Sequence, residues 1–457
     1  MDSAQRRQSA RRGVRSRILP LLLIGGALLA GGAISLTACW PRGGIPKVTA
    51  EEHELNLASF EEVWATIRDK HWDPQLGGLD WQAIHDELRP KAEAARTMIE
   101  ARRVMEELIG RLGKSHFGIT PGDLYEDVDQ ASEASKGDGT AGIDVRVAEG
   151  RALVTRVEPG SPAESLGVRP GWEIVRIGKG DIPPRLEALA QRFAGKTTLP
   201  YYSARSVVSR LTGDVGGSVA ARFLDGEGQR RDLTLRLIEE KGNKVGVGNL
   251  PAHHVWFESR RLEGDIGYIA FNVFLDPPRV MEGFNAAMES FLDARGVIID
   301  LRGNPGGLGG MAMGMAGWLI AEEGKRLGTM HTRETELKFA VIPRPETYAG
   351  PVAVLVDGLS ASTSEILAGG LQDLGRARLF GSRTAGAALP SMIAKLPNGD
   401  GFQYAIANYL SEGGGVLEGV GIAPDVESPV VRAELLAGRD AALEAAMAWI
   451  RETPPER

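Results

Sequence analysis

Ser362 is the residue of this chain best placed for nucleophilic chemistry. It follows an apolar run, residues 352–356, whose length and β-branched content predict a buried strand. A loop of small residues, 358–364, separates that run from residues 365–374, which predict a helix ending at Gly375. At such a helix start the backbone N–H groups lack intrahelical partners, and the dipole favours negative charge. An oxyanion formed there would be stabilised. The same residues also fit a structural pattern, because Ser362-Thr363-Ser364-Glu365 is a capping box with Ser362 as N-cap. A serine hydroxyl is a weak nucleophile and needs a base, and that base must come from elsewhere in the chain.

Two further loops carry polar groups that chemistry can use. Residues 296–301 predict a buried strand that leads directly into Arg302-Gly303-Asn304-Pro305-Gly306-Gly307, where glycines allow close backbone approach to a ligand. Phosphate is the generic ligand of such loops, yet neither a Walker lysine nor G-x-G-x-x-G is present. A late polar loop, 417–425, carries Glu418.

Composition narrows the class. The chain has 457 residues, 43% hydrophobic and 25% charged, enough for two or three globular domains. Six arginines lie within residues 2–17, and the remainder carries 47 basic against 59 acidic side chains. An acidic body argues against nucleic acid as the partner. The one cysteine, Cys39, excludes an intramolecular disulfide and a cysteine-based metal site. It ends an apolar run, 18–38, behind the basic N-terminus, the plan of an export signal. Leu36-Thr37-Ala38-Cys39 resembles a lipobox, which implies lipidation at Cys39 and cleavage before it. An uncleaved membrane anchor is the alternative. On either reading the body is exported and tethered, at a periplasmic or other extracytoplasmic face.

The elements that must position these groups follow in order. After the signal (1–39) and a tether (40–58), residues 59–121 predict a helical domain, with Phe60, Val63, Trp64 and Ile67 on one face. A polar stretch, 122–139, is a linker. Residues 140–240 predict a small β-rich domain. There Gly142-Ile143-Asp144-Val145, the strand 151–157 and the short helix within 160–167 resemble a PDZ domain. That resemblance implies that Gly142 to Val145 receive an extended peptide as an added strand, or else that the domain only braces its neighbour. From 255 to 430 strands and helices alternate as in an α/β domain. An amphipathic helix over 435–450 lies in a C-terminal segment, 431–457.

Taken together, Asp300-Leu301-Arg302-Gly303-Asn304-Pro305-Gly306-Gly307, the 360–365 loop, Glu418-Gly419-Val420-Gly421-Ile422-Ala423-Pro424-Asp425 and Trp64, Asp73-Pro74 and Asp80-Trp81 resemble the C-terminal processing and tricorn-core serine peptidases. The resemblance spans residues 59–450. It implies an α/β core of the crotonase and Clp-protease spiral type, with a helical N-terminal domain and an inserted PDZ-like domain. It places the nucleophile on Ser362. The processing branch supplies a lysine base in a Thr-Phe-Gly-Lys run, but here the aligned residues are Thr384-Ala385-Gly386-Ala387, and the lysine is absent. The tricorn branch instead implies His116 as base, Ser115 and Glu418 as its orienting partners, and an oxyanion hole from Thr363 with Gly306 or Gly307. Protein or peptide substrates are implied, with homo-oligomers compatible and no metal or organic cofactor. A non-catalytic peptide-binding scaffold and an esterase with the same residues are the competing readings.

Overall fold

The computed structural model describes residues 47–120, 137–246 and 252–454. Cys39 and the signal lie outside them, as does most of the 122–139 stretch. Among the described residues no helix is long and apolar enough to cross a membrane.

The N-terminal unit is three helices, α1 (Ala50–Lys70), α2 (Trp81–Ala94) and α3 (Met98–Gly110). Helix α1 begins nine residues ahead of the expected domain start at 59, because Thr49 and Glu52 form a capping box. Phe60, Val63 and Ile67 bury their shared face against Leu88, Met105 and Leu108. Trp64 and Trp81 each donate their indole N–H to the other's carbonyl at 3.1 Å, which closes the bundle. The same apolar cluster continues into Leu389, Phe402 and Tyr404, so the helices pack on the rest of the protein rather than standing apart. A bidentate ion pair fixes that docking: Arg102 donates to Asp400 at 2.8 and 3.0 Å, and Asp400 is fully buried.

The second unit is an antiparallel sheet of β1 (Ile143–Ala148), β2 (Arg151–Val157), β3 (Glu173–Ile177), β4 (Ser218–Leu224) and β5 (Arg230–Arg236), in that order. The connection that the sequence left undefined is two helices, α4 (Pro183–Arg192) and α5 (Leu199–Val208), and α5 packs along the edge strand β1.

The third unit is a six-stranded sheet with a parallel centre. Its order is β6 (Phe257–Leu262), β7 (Ile266–Phe271), β8 (Gly296–Asp300), β9 (Val352–Val356), β10 (Arg378–Gly381) and β11 (Val426–Glu427), and only β6 runs antiparallel to its neighbour. Every residue of β8 and β9 is buried, which is why β9 reads as an unbroken apolar run and β8 as one up to Asp300. Helices α6 (Pro277–Ser290), α7 (Gly309–Ala316) and α8 (Thr363–Asp373) share one apolar cluster with Val297, Ile299, Val352 and Val354. Helix α9 (Ala441–Glu452) covers the other face, where Ala446 and Ile450 meet Ile298, Leu355 and Phe380. The single helix expected over 435–450 is therefore broken. A short turn of helix, Arg432–Leu436, stops at Gly438 (φ 73°), and Asp440 restarts the chain as N-cap of α9.

Candidate active site

Ser362 sits at the N-cap of α8, straight after the C-terminal end of β9, with φ 54° and ψ −117°. A non-glycine residue with positive φ is uncommon and costs about 1–3 kcal/mol. His116 (φ 58°) is another. Of the six such residues described, two are therefore these, and strain of this kind collects where geometry serves function.

The glycine loop lies directly against the serine. A Cβ added to Gly306 would fall 2.7 Å from both Ser362 Cβ and the Thr363 nitrogen. Gly306 donates its own N–H to Asn304 Oδ1 at 2.9 Å, while Thr363 Oγ1 donates to the Gly307 carbonyl at 2.7 Å. Asn304 anchors the loop further by donating from Nδ2 to the Phe271 carbonyl and accepting Ala361 N–H and Ser364 Oγ at its own carbonyl. Thr363 is the first residue of α8, so its N–H has no partner within the helix.

His116 stands in the turn between α3 and the strand Gly118–Thr120, which pairs antiparallel with Gly401–Ala405. Ser115 Oγ lies 2.7 Å from His116 Nδ1 and donates to Glu418 Oε2 at 2.7 Å. Ser115 N–H donates to Glu418 Oε1, also at 2.7 Å, and Ala388 N–H to Oε2 at 3.4 Å. A hydroxyl has one proton to give. With that proton donated toward the Glu418 carboxylate, Ser115 Oγ accepts from His116 Nδ1–H, and Nε2 is left with its lone pair. His116 Nε2 is buried and has no hydrogen-bond partner among the described residues. Burial alone pushes the imidazole down to about 4, so the ring is neutral at physiological pH. Burial also raises the Glu418 carboxyl, against the lowering effect of its Ser115 hydrogen bonds.

The two groups of residues meet at the loop after β10. Ser362 N–H donates to the Ala387 carbonyl at 2.8 Å, and the next residue, Ala388, contacts Glu418. Ala387, where the processing branch has lysine, is fully buried beside Ala361 and Ala385. Lys395 is exposed at the end of a separate strand, Ser391–Lys395.

The second unit closes over this centre. Arg146 of β1 donates to Asp357 at 2.6 Å, and Asp357 also accepts Gly303 and Leu359 N–H at 2.9 Å. Burial would raise the Asp357 carboxyl, but Arg146 and these N–H groups hold it below the usual carboxylate range. A Cβ on Gly358 would strike Pro200 at 2.6 Å, and one on Gly386 would strike Thr197 Oγ1 at 2.5 Å. Ser362 and His116 are each only 2% exposed. A cleft of about 390 Å³ is lined by Lys114, Ser115, Thr197, Tyr202, Gly386 and Glu418, and neither Ser362 nor His116 is among its lining residues. Gly142 has φ 72°, and a Cβ there would lie 2.5 Å from Ser161. Ile143 and Val145 point into the domain core, while Asp144 pairs with Arg156 at 2.7 Å. Among the described residues no group of three or more His, Cys, Asp or Glu side chains is arranged to hold a metal.

Sequence reasoning missed Asn304 as the group that engages Gly306 N–H, although it lies inside the glycine motif. It also missed Arg146 and Asp357, whose separation of 211 residues left no local signal.

A mixed α/β fold with a strained serine at a helix N-terminus, and a buried histidine linked through Ser115 to a carboxylate, suits serine-type peptidase chemistry. Residues 265–428 match peptidase family S41, and residues 55–110 match the tricorn protease C1 domain. These matches fit a C-terminal-processing, tricorn-like serine peptidase family. It is 26% identical over 400 residues to carboxyl-terminal-processing peptidase 3, chloroplastic, of Arabidopsis thaliana, covering 86% of this chain and 72% of the relative. With the carboxyl-terminal-processing protease of Synechocystis it shares 26% identity, covering 92% and 91% of the two chains. Its fold is similar to the photosystem II D1 C-terminal processing protease (TM-score 0.56, 21% identity, 86% of this chain and 99% of the other). Mature CPAF is similar as well (TM-score 0.61, 15% identity, 88% and 97%).

Proposed function

We propose that the protein is an exported, lipid-tethered serine endopeptidase that cleaves unfolded or C-terminally recognised proteins through Ser362, His116 and Glu418. The observation that carries this reading is the chain Glu418–Ser115–His116, which leaves Nε2 as a buried, unprotonated and unpartnered base. His116 Nε2 takes the Ser362 proton as Oγ attacks the scissile carbonyl. The N–H groups of Gly307 and Thr363 receive the oxyanion, since Gly306 N–H is engaged by Asn304. The imidazolium is held through Nδ1 by Ser115, whose hydroxyl leans on Glu418, and it then protonates the leaving amine. Water attacks the acyl-enzyme by the same route in reverse.

The finer architecture proposed is a crotonase- and Clp-protease-like core with an inserted PDZ-like domain. The free edge of β1, with α5 alongside and Gly142 at its head, supports peptide addition there. The lipid anchor rests on residues 18–39 alone. Assembly into homo-oligomers is compatible with this reading.

A fluorophosphonate probe and one quenched-fluorescent unstructured peptide test the function. Wild type should be labelled at Ser362 and cleave the peptide. His116→Ala should lose turnover by several orders of magnitude, with little change in Lys395→Ala. Absence of labelling would favour a peptide-binding scaffold, and turnover of simple esters without peptides would favour an esterase. Activity in His116→Ala with loss in Lys395→Ala would overturn the assignment of the base.

A further inference from the structure

Glu365 is fully buried, lies three residues from the nucleophile, and has no part in the proton relay. Its carboxylate gathers four donors. Oε2 accepts Ser362 N–H and Ala387 N–H, each at 3.0 Å, and Oε1 accepts Thr384 Oγ1 at 2.5 Å and Gly386 N–H at 2.9 Å. The network extends beyond the carboxylate. Thr384 Oγ1 accepts Ile422 N–H at 2.7 Å, and the Gly386 carbonyl accepts Gly419 N–H at 2.7 Å. Residues 419–422 belong to the loop that bears Glu418. One side chain thus connects the strained backbone of Ser362 to the loop that carries the orienting acid.

A capping role alone accounts for the bond to Ser362 N–H. It does not account for the other three donors, which come from residues 384–387 and align a loop that a helix cap has no need to hold. Burial of a carboxyl with no cationic partner is costly, and the burial pushes this one up to about 7. Keeping such a group is intelligible where geometry is worth more than stability.

We infer that Glu365 is a positioning residue, which sets the left-handed conformation of Ser362 and registers it against the Glu418–Ser115–His116 chain. The inference rests on the proposed site. An amide at 365 would face N–H groups with its own N–H₂ and release one arm of the frame. A shift of the serine by about 1 Å is worth roughly 100-fold in rate. Glu365 is fully buried and does not line the cleft beside Ser115 and Glu418, so KM should change little.

The test uses the full chain and one quenched-fluorescent peptide. Glu365→Gln should lower kcat about 100-fold with KM within about threefold of wild type. Thr384→Val, which keeps the carboxylate and removes one donor, should lower kcat about tenfold, again with KM unchanged. Thermal unfolding in parallel gives the folded fraction, by which kcat is corrected. Wild-type kcat in Glu365→Gln, or a loss fully accounted for by unfolded protein in both variants, overturns the inference while an inactive Ser362→Ala leaves the site reading standing. Wild-type hydrolysis by Ser362→Ala overturns the site reading and the inference with it.

Discussion

Replacing Ser115 by alanine tests the proposed relay at its one uncharged member. The hydroxyl is 2.7 Å from both His116 Nδ1 and Glu418 Oε2, so no shorter path between the imidazole and the carboxylate is apparent. Without it, Glu418 keeps the backbone donors Ser115 N–H and Ala388 N–H, and its placement should survive. The imidazolium formed during reaction, however, loses the acceptor for Nδ1–H in a buried site. A hydrogen bond to a charged group contributes about 1.5–3 kcal/mol, which corresponds to a fall in kcat of roughly 10- to 150-fold. The neutral resting ring is less affected, so KM should stay close to wild type. Glu418→Gln removes the charge behind the same hydroxyl and should fall in the same range or below it. Because Ser115 and Glu418 act on His116 in series, the double variant should lose little more than the worse single one. Steady-state kinetics on one peptide at saturating substrate reads all four proteins. Wild-type kcat in Ser115→Ala, or fully additive losses in the double variant, would refute the relay.

Three further outcomes follow from the same geometry. Gly306→Ala places a methyl group 2.7 Å from Ser362 Cβ and the Thr363 nitrogen at φ 97°, so peptide turnover and fluorophosphonate labelling should fall about 100-fold or more. Arg102→Met leaves Asp400 buried without its bidentate partner and should cost about 3–5 kcal/mol in denaturant unfolding. The His116 ring is held at about 4 when folded and titrates at about 6.5 when unfolded, so the unfolded state binds the extra proton between those values. Stability from this group is therefore complete above about pH 6.5 and falls by about 3 kcal/mol as pH drops to about 4. Glu365, raised to about 7, has the opposite slope, so the contribution is read as the difference between wild type and His116→Ala across pH 4 to 7. A flat difference would show that the ring is not buried in solution.

What the sequence made legible depended on how local the cause was. Strands β8 and β9 stand out because both faces of a parallel sheet are covered, and the one charged residue, Asp300 at the end of β8, is paired with Arg302 and Tyr268. The capping box at Ser362 is a pattern of four residues. An equally local signal was overlooked at Gly438 with Asp440, which break the final helix. Asp440 has a second task, since it receives both ends of the Arg302 guanidinium at 2.7 and 2.8 Å. Such pairings, like Arg146 with Asp357, are set by tertiary approach and leave no trace in spacing. Burial, which no sequence position displays, also lowers the His116 imidazole to about 4.

Ser115, beside the proposed base, and the orienting acid Glu418 lie 303 residues apart in the chain, on opposite sides of a domain boundary. Ser115 and His116 belong to the helical unit, while Glu418 and Ser362 belong to the sheet unit. The turn that carries His116 is fixed by the strand Gly118–Thr120 against Gly401–Ala405, by the shared cluster around Phe60 and Phe402, and by Arg102 on Asp400. None of these contacts touches the reacting atoms, yet each sets where Nε2 lies relative to Ser362. In the proposed mechanism, docking of the helical unit is thus a condition for a working site, and a fragment holding only the sheet unit would keep Ser362 and lose His116.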